Sequence, residues 1–282
     1  MTPQLERDAE RAAQRTAPVV QANMSAAPLK GLAIVVTRPA GQAAGLAEAI
    51  RGAGGEAILF PTIDIRDAAD AGALDRALDE LDGAAWAIFV SPNAVEKTFA
   101  RLDRAWPASV RVAAIGPGTG AALAQHGARG VLMPAQRFDS EGLLALPEFS
   151  AVAGARCVIF RGNGGRELIA ETLAARGAKV KIVECYQRAL PAADAGPLLE
   201  RWATGNIAAL TFASSEGARN FMTLAGAAAR PLAARTPAFV PHANIARTVA
   251  RLGFRDVVET GAAQSDADAG LLAALCARFG AR

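Results

Sequence analysis

Two stretches of the chain repeat one another at a constant separation, and this limits the possible folds more than any other feature. Residues 31–65, GLAIVVTRPAGQAAGLAEAIRGAGGEAILFPTIDI, and residues 154–188, GARCVIFRGNGGRELIAETLAARGAKVKIVECYQR, each read as strand, turn, helix, strand and extended tail. Gly31 aligns with Gly154, Arg38 with Arg161, Gly41 with Gly164, Glu48 with Glu171 and Gly54 with Gly177, each pair separated by the 123 positions that divide Arg38 from Arg161. A fixed offset across a whole βαβ pattern means an internal duplication. The match continues at Phe89-Val90-Ser91 with Phe212-Ala213-Ser214. After a drift of a few positions, of the size loop insertions give, it resumes at Gly142-Leu143-Leu144 with Gly270-Leu271-Leu272.

Apolar Val/Ile/Leu runs without polar alternation indicate strands buried on both faces, as in parallel sheets. Strands are expected at 32–37, 56–60, 85–90, 111–115, 129–133, 156–160, 179–184, 207–212, 236–240 and 256–259. Helices are expected near 41–53, 70–81, 92–104, 118–126, 140–146, 164–176, 194–203, 215–228, 243–252 and 268–278. Repeated βα order means α/β architecture, here two similar five-strand modules. Segments 61–66 and 185–190 read as extended connectors beside Pro61 and Pro191. If the chain crosses at both, residues 29–60 plus 191–282 form module 1 and residues 67–184 form module 2. Residues 1–28 carry acids, no core pattern and no apolar h-region, so they read as a flexible N-terminal extension rather than a signal peptide.

Composition excludes several classes. The 282 residues carry a net charge of +3 with only 5% aromatics, and no Lys/Arg run interrupts them. Nucleic-acid binding calls for a concentrated basic face with stacking aromatics, so it is not expected; a small polyanion suits the charge. The two histidines, His126 and His242, cannot build a His-rich metal site, and Cys157, Cys185 and Cys276 have no metal-site spacing. They read as buried thiols of a reducing cytosol. No apolar stretch approaches the ~20 residues that span a bilayer.

The candidate ligand groups lie at strand-to-helix turns, where open α/β sheets collect ligands. Arg38 and Arg161 stand there as possible carboxylate clamps or as solvated turn residues. Ser91 and Asn93 in Ser91-Pro92-Asn93, and Ser214-Ser215, follow equivalent strands. They read as helix caps that can also hold a carboxylate. The turn starting at Gly116 has GxGxG spacing, not the GxGxxG of dinucleotide sites, with no acid about twenty residues on. The turn from Gly162 to Arg166 lacks the GK[ST] ending of a P-loop. Both keep the weaker reading of tight turns that bring backbone N–H groups to a ligand. Tyr186, the single tyrosine, is either a half-buried strand residue or a phenol proton donor facing a cleft. His242 opens a helix as a structural or substrate-proximal polar group. No Ser-His-Asp arrangement supports a nucleophile.

The ordered set TRP (37–39), FP (60–61), FVSPNAV (89–95), IGPGTGAAL (115–123), FDSEGLL (138–144), FRGNGGRELIAETLAARGAKV (160–180), ECYQR (184–188), LTFASSEGARNF (210–221) and VPHANIARTVARLGF (240–254) resembles the uroporphyrinogen-III synthase family. The resemblance covers roughly residues 30–278. It implies two flavodoxin/Rossmann-like parallel-sheet modules joined by a two-stranded connector, with the active site in the cleft between them. It also implies a cytoplasmic, monomeric, cofactor- and metal-free lyase of tetrapyrrole (heme) biosynthesis. The substrate implied is hydroxymethylbilane, handed over by the preceding pathway enzyme, which is closed with loss of water and inversion of the last ring. By this resemblance Tyr186 assists departure of the hydroxyl, Thr119 is a cleft threonine, and Ser91, Ser214 and their turns hold carboxylates. The family's G-P-x-T turn in the second half is replaced by Pro241-His242-Ala243-Asn244, so His242 or Asn244 stands in for the missing hydroxyl or the contact is absent. The competing expectation is a two-module small-anion binding protein without catalysis. A sugar-nucleotide transferase fits less well, since no nucleotide signature is present.

Overall fold

A computed structural model describes residues 27–260 and 267–280; most of the expected N-terminal extension lies outside them. In chain order the elements are β1 (Ala33–Val36), α1 (Ala44–Gly52), β2 (Glu56–Leu59), β3 (Asp64–Asp67), α2 (Ala71–Asp79), β4 (Trp86–Phe89), α3 (Pro92–Phe99), β5 (Arg111–Ala114), α4 (Pro117–Gln125), α5 (Ser140–Leu144), β6 (Arg156–Gly162), α6 (Leu168–Ala175), β7 (Lys179–Ala189), α7 (Gly196–Ala203), β8 (Ala209–Thr211), α8 (Ser215–Ala225), α9 (Ala229–Ala233), β9 (Ala238–Val240), α10 (Ala243–Arg251), β10 (Val257–Glu259) and α11 (Ala267–Phe279).

The strands form two five-stranded sheets, ordered β10-β9-β8-β1-β2 and β3-β7-β6-β4-β5. All pairs are parallel except β3 with β7, where Asp64 faces Ala189 and Asp67 faces Tyr186. The N-terminal β1 pairs with β8 (Val35 opposite Leu210), and β6 pairs with β4 (Phe89 opposite Phe160). Apolar clusters cover both faces of each sheet. Phe212, Phe221 and Trp202 pack one face of the first sheet, and Leu46, Ile50 and Leu275 the other. Phe89 and Phe160 pack one face of the second sheet, and Trp86, Phe149 and Leu173 the other. Burial of one such Phe or Leu stabilises the fold by about 1.5–3 kcal/mol.

Several expected elements differ, for local reasons. Residues 129–133 form no strand; only an isolated bridge joins Leu132 to Ala113. Gly130, at φ 62°, and Pro134, which lacks an N–H, leave too short a run for a ladder. The helix expected from 164 begins at Leu168, because Gly164 (φ 62°) and Gly165 (φ 103°) hold the turn left-handed. The helix expected over 215–228 stops at Ala225, where Gly226 turns at φ 67°, and α9 follows separately. The helix expected over 92–104 ends at Phe99. Strand pairing runs through most of the expected connectors, since β3 occupies 64–67 and β7 continues to Ala189.

Candidate active site

Ser91 and Ser214 occupy equivalent turns and do the same local job. Each has extended backbone and caps its helix. Ser91 Oγ accepts from the Ala94 N–H at 3.2 Å and Ser214 Oγ from the Gly217 N–H at 2.9 Å. Ser91 has a further partner: its Oγ lies 3.0 Å from the Tyr186 hydroxyl.

A break in strand register brings Tyr186 there. Opposite β6, Arg161 pairs with Glu184 but Gly162 pairs with Tyr186, so Cys185 is the extra residue of a bulge. Bulges re-aim side chains at functional sites. Gly162 completes the arrangement, because a Cβ there would stand 2.6 Å from the Tyr186 ring. Tyr186 is 3% exposed, and its carbonyl accepts the Asn163 N–H at 2.9 Å. Burial pushes the neighbouring Cys185 thiol up to about 11, partly opposed by a Thr98 hydrogen bond. That leaves it a poor nucleophile at neutral pH.

Two cavities adjoin this point. The smaller, about 220 Å³, is lined by Ser91, Ser140, Arg161, Gly162, Arg166 and Tyr186; Arg188 also borders it, and no carboxylate is among its lining residues. Arg161 is 9% exposed and donates through Nη2 to Glu167 at 2.8 Å, while its buried Nε has no hydrogen-bond partner. Arg166 makes a two-point pair with Glu141. That pair holds the Glu141 carboxyl below its usual range, chiefly through the hydrogen bond. The larger cavity, about 1180 Å³, lies between the two sheets' turns. Gln42 and Asp268 line it from one side, Asn93 and Gly118 from the other, and Ile63 and Pro191 from the crossing segments. Gln42 Nε2 donates to Asn93 Oδ1 across it at 2.7 Å.

The remaining expected residues are not gathered there. Arg38 is ion-paired with Asp268 and lines neither cavity. Gly116 is buried at the start of α4 against Phe138. Thr119, read as a cleft residue, is 3% exposed in the first turn of α4 and lines neither cavity. Ser215 accepts from the Thr248 hydroxyl. His242 and Asn244 lie exposed at the start of α10; His242 holds the N-cap position without a side-chain capping bond, and neither residue lines either cavity.

Sequence reading missed Arg188, Ser140 and Gln42. Arg188 bonds Asn163 through its backbone N–H and its guanidinium, both at 2.7 Å, and reaches Glu216 of α8 at 3.4 Å. Arg188 and Ser140 both sit inside motifs of the resemblance, ECYQR and FDSEGLL, which was the available signal.

A model of the family described as uroporphyrinogen-III synthase HemD matches residues 44–268. The uroporphyrinogen-III synthase of Salmonella typhimurium is 35% identical over 242 residues, 84% of this chain and 98% of that protein. The chain belongs to the uroporphyrinogen-III synthase family. The uroporphyrinogen-III synthase of Escherichia coli is 37% identical over 188 residues, 66% of this chain and 76% of that protein. A crystal structure of a mutant uroporphyrinogen III synthase from Thermus thermophilus superposes with a TM-score of 0.58 at 18% identity, covering 88% of this chain and 98% of that one. One of uroporphyrinogen-III synthetase from Helicobacter pylori superposes with a TM-score of 0.51 at 14% identity, covering 88% and 100%. At such identities the likeness concerns the mixed α/β fold with its two parallel-dominated sheets. No helix among the described residues of this uroporphyrinogen-III synthase family member is long and apolar enough to cross a membrane.

Proposed function

We propose that the protein closes hydroxymethylbilane to uroporphyrinogen III, with loss of water and inversion of the last ring. The observation that carries this reading is the Tyr186 phenol, held 3.0 Å from Ser91 Oγ in a pocket whose charged lining residues are all arginine. A neutral phenol is a proton donor at neutral pH. It assists the C–O bond of the hydroxymethyl group to break, so that the hydroxyl leaves as water and an electrophilic azafulvene remains. The last ring attacks through its substituted carbon to give a spiro intermediate, and fragmentation and reclosure deliver the type III isomer. The free bilane closes unaided to the uninverted type I isomer. The protein therefore acts mainly by holding one folded conformation and excluding direct closure. These demands on geometry and one proton donor fit a cofactor-free, metal-free hydro-lyase.

In this reading residues 29–60 with 191–282 form one module and 67–184 the other. Residues 61–66 and 185–190 are the two-stranded connector, and substrate lies in the cleft between the modules. Pairing of β1 with β8, and of β3 with the end of β7, supports the division. Of the binding groups expected from sequence, Ser91, Asn93, Arg161, Gly162 and Arg166 line the two cavities. They are the side to which substrate acid groups are assigned. Ser214, Ser215, Arg38, Gly116, Thr119, His242 and Asn244 reach substrate only if the cleft rearranges around it. A cytoplasmic monomer that receives the bilane from the preceding enzyme completes the reading. A two-module anion-binding protein would leave the bulge, Gly162 and the Tyr186–Ser91 pair without a purpose.

The test is direct. Hydroxymethylbilane is generated in situ, incubated with the protein, oxidised, and the porphyrin isomers are separated. Predominantly type III product is expected; type I product alone from folded protein overturns the proposal.

A further inference from the structure

The duplication lets one repeat report on the other. Aligning Gly142-Leu143-Leu144 with Gly270-Leu271-Leu272 carries Ser140 onto Asp268, and Arg161 aligns with Arg38. In the first repeat Arg38 is met by the Asp268 carboxylate. In the second repeat Ser140, short and neutral, stands in that place and lines the smaller cavity together with Arg161. The molecule thus carries its own example of what this turn binds, and in the second repeat the carboxylate from that position is missing. Arg38 and Arg161 each keep a buried Nε without a hydrogen-bond partner, but of the two only Arg161 borders either cavity.

We propose that the smaller cavity, about 220 Å³, is a carboxylate subsite, in which Arg161 Nε receives one acid arm of the pyrrole ring whose hydroxyl departs at Tyr186. The inference rests on the function proposed above and adds which residue orients that ring. Arg161 is nine-tenths buried, its Nη2 is engaged by Glu167, and its Nε is buried without a hydrogen-bond partner. A buried, charged donor left unpaired is costly, and a carboxylate that accepts from it removes the cost. Arg161, Arg166 and Arg188 line the cavity while their acid partners Glu167, Glu141 and Glu216 are not among its lining residues, so every charged residue that borders it is cationic. The space equals that of about seven waters at ~30 Å³ each, enough for a short acid arm and too small for a chain of pyrroles. Tyr186 lines the same cavity. A ring that offers its hydroxyl to the phenol therefore has its own acid arm within reach of Arg161, which fixes the ring's orientation for closure.

Two measurements test this. First, sodium propionate is titrated into ¹⁵N-labelled protein at constant ionic strength. The Arg161 Nε–H resonance, assigned by its loss in Arg161→Lys, should move saturably with propionate and stay still with chloride. It should not respond in Ser140→Asp, where the chain supplies the carboxylate itself. An unmoved resonance in the wild type overturns the subsite. Second, steady-state kinetics with hydroxymethylbilane are compared for variants whose far-UV dichroism and Tm match the wild type. Arg161→Gln and Ser140→Asp should each raise KM about tenfold to a hundredfold, the range of one charge-assisted hydrogen bond, while Glu167→Gln stays within about twofold. Equal effects of Arg161→Gln and Glu167→Gln, or an unchanged KM in Arg161→Gln, mean a merely structural ion pair and overturn the proposal. If the wild type yields only type I isomer, the parent reading has failed and the substrate assignment falls with it, whatever propionate does.

Discussion

The two repeats share a frame and differ around Tyr186. β1 and β6 lie inside equivalent sheets, and Ser91 and Ser214 cap equivalent helices with nearly the same geometry. The position aligned with Tyr186 is Ile63, a buried aliphatic residue close to the start of α8. The position aligned with Gly162 is Pro39. One half therefore holds a phenol over a glycine, against a capping serine; the other fills the same place with hydrocarbon. Asp268 meets the first half's arginine, and the equivalent Ser140 offers the second half's arginine no carboxylate at the cavity that both line. A duplicated scaffold supplies two strand-end sites, and a few side chains make them unlike, with the proposed acid in only one.

The sharpest way to break this comparison is to erase the phenol. Tyr186→Phe keeps the ring, the bulge and the burial, and removes one hydroxyl. Turnover to the type III isomer should fall tenfold or more, within the range for a positioned acid. Spontaneous closure to type I should be untouched, so the isomer ratio shifts as well. Initial rates and isomer separation check both, and a wild-type rate would remove Tyr186 from the mechanism.

The frame was legible in the sequence because its causes are local. Unbroken apolar runs marked nine of the ten strands expected, and Ser before helical runs marked caps later found at Ser91 and Ser214. The tenth, 129–133, failed because Gly130 and Pro134 outweigh Val131-Leu132-Met133. The site was less legible because its causes are relational. That Tyr186 faces Gly162 depends on a register shift between β6 and β7, which neither strand's own residues announce. That Arg38 is ion-paired depends on Asp268, far along the chain. Thr119 was read from its place in a motif, yet helical phase turns it into the core.

A second test acts through volume. Gly162→Ala puts a methyl 2.6 Å from Tyr186 Cε2 and Cζ, and the ring must move or the bulge must open. Overpacking of this kind costs about 1–3 kcal/mol, visible as a lower Tm, and it displaces the hydroxyl from Ser91. Activity should fall with stability here. In the first repeat, Pro39→Ala meets no phenol and should leave type III formation within about twofold. Equal losses in the two variants would mean that the second repeat has no special geometry to lose.

The smallest expected effect separates the two serines. Ser91→Ala and Ser214→Ala each delete a cap bond to a backbone N–H, and each should lower stability by about 1 kcal/mol. On stability the repeats are then equivalent, and chemical denaturation should give the same shift for both. On rate they are not. Ser91→Ala also strips the Tyr186 hydroxyl of its 3.0 Å partner, so the phenol loses the contact that orients its proton. A hydrogen bond of about 1 kcal/mol corresponds to a roughly fivefold change, and kcat for type III product should drop by about that factor. Ser214 has no phenol beside it, so its kcat should stay near wild type. If both serines lower kcat alike, they serve as caps alone, or both reach substrate. If only Ser91 does, the repeats are equal as architecture and unequal as chemistry, and the unequal part is the Tyr186–Ser91 pair.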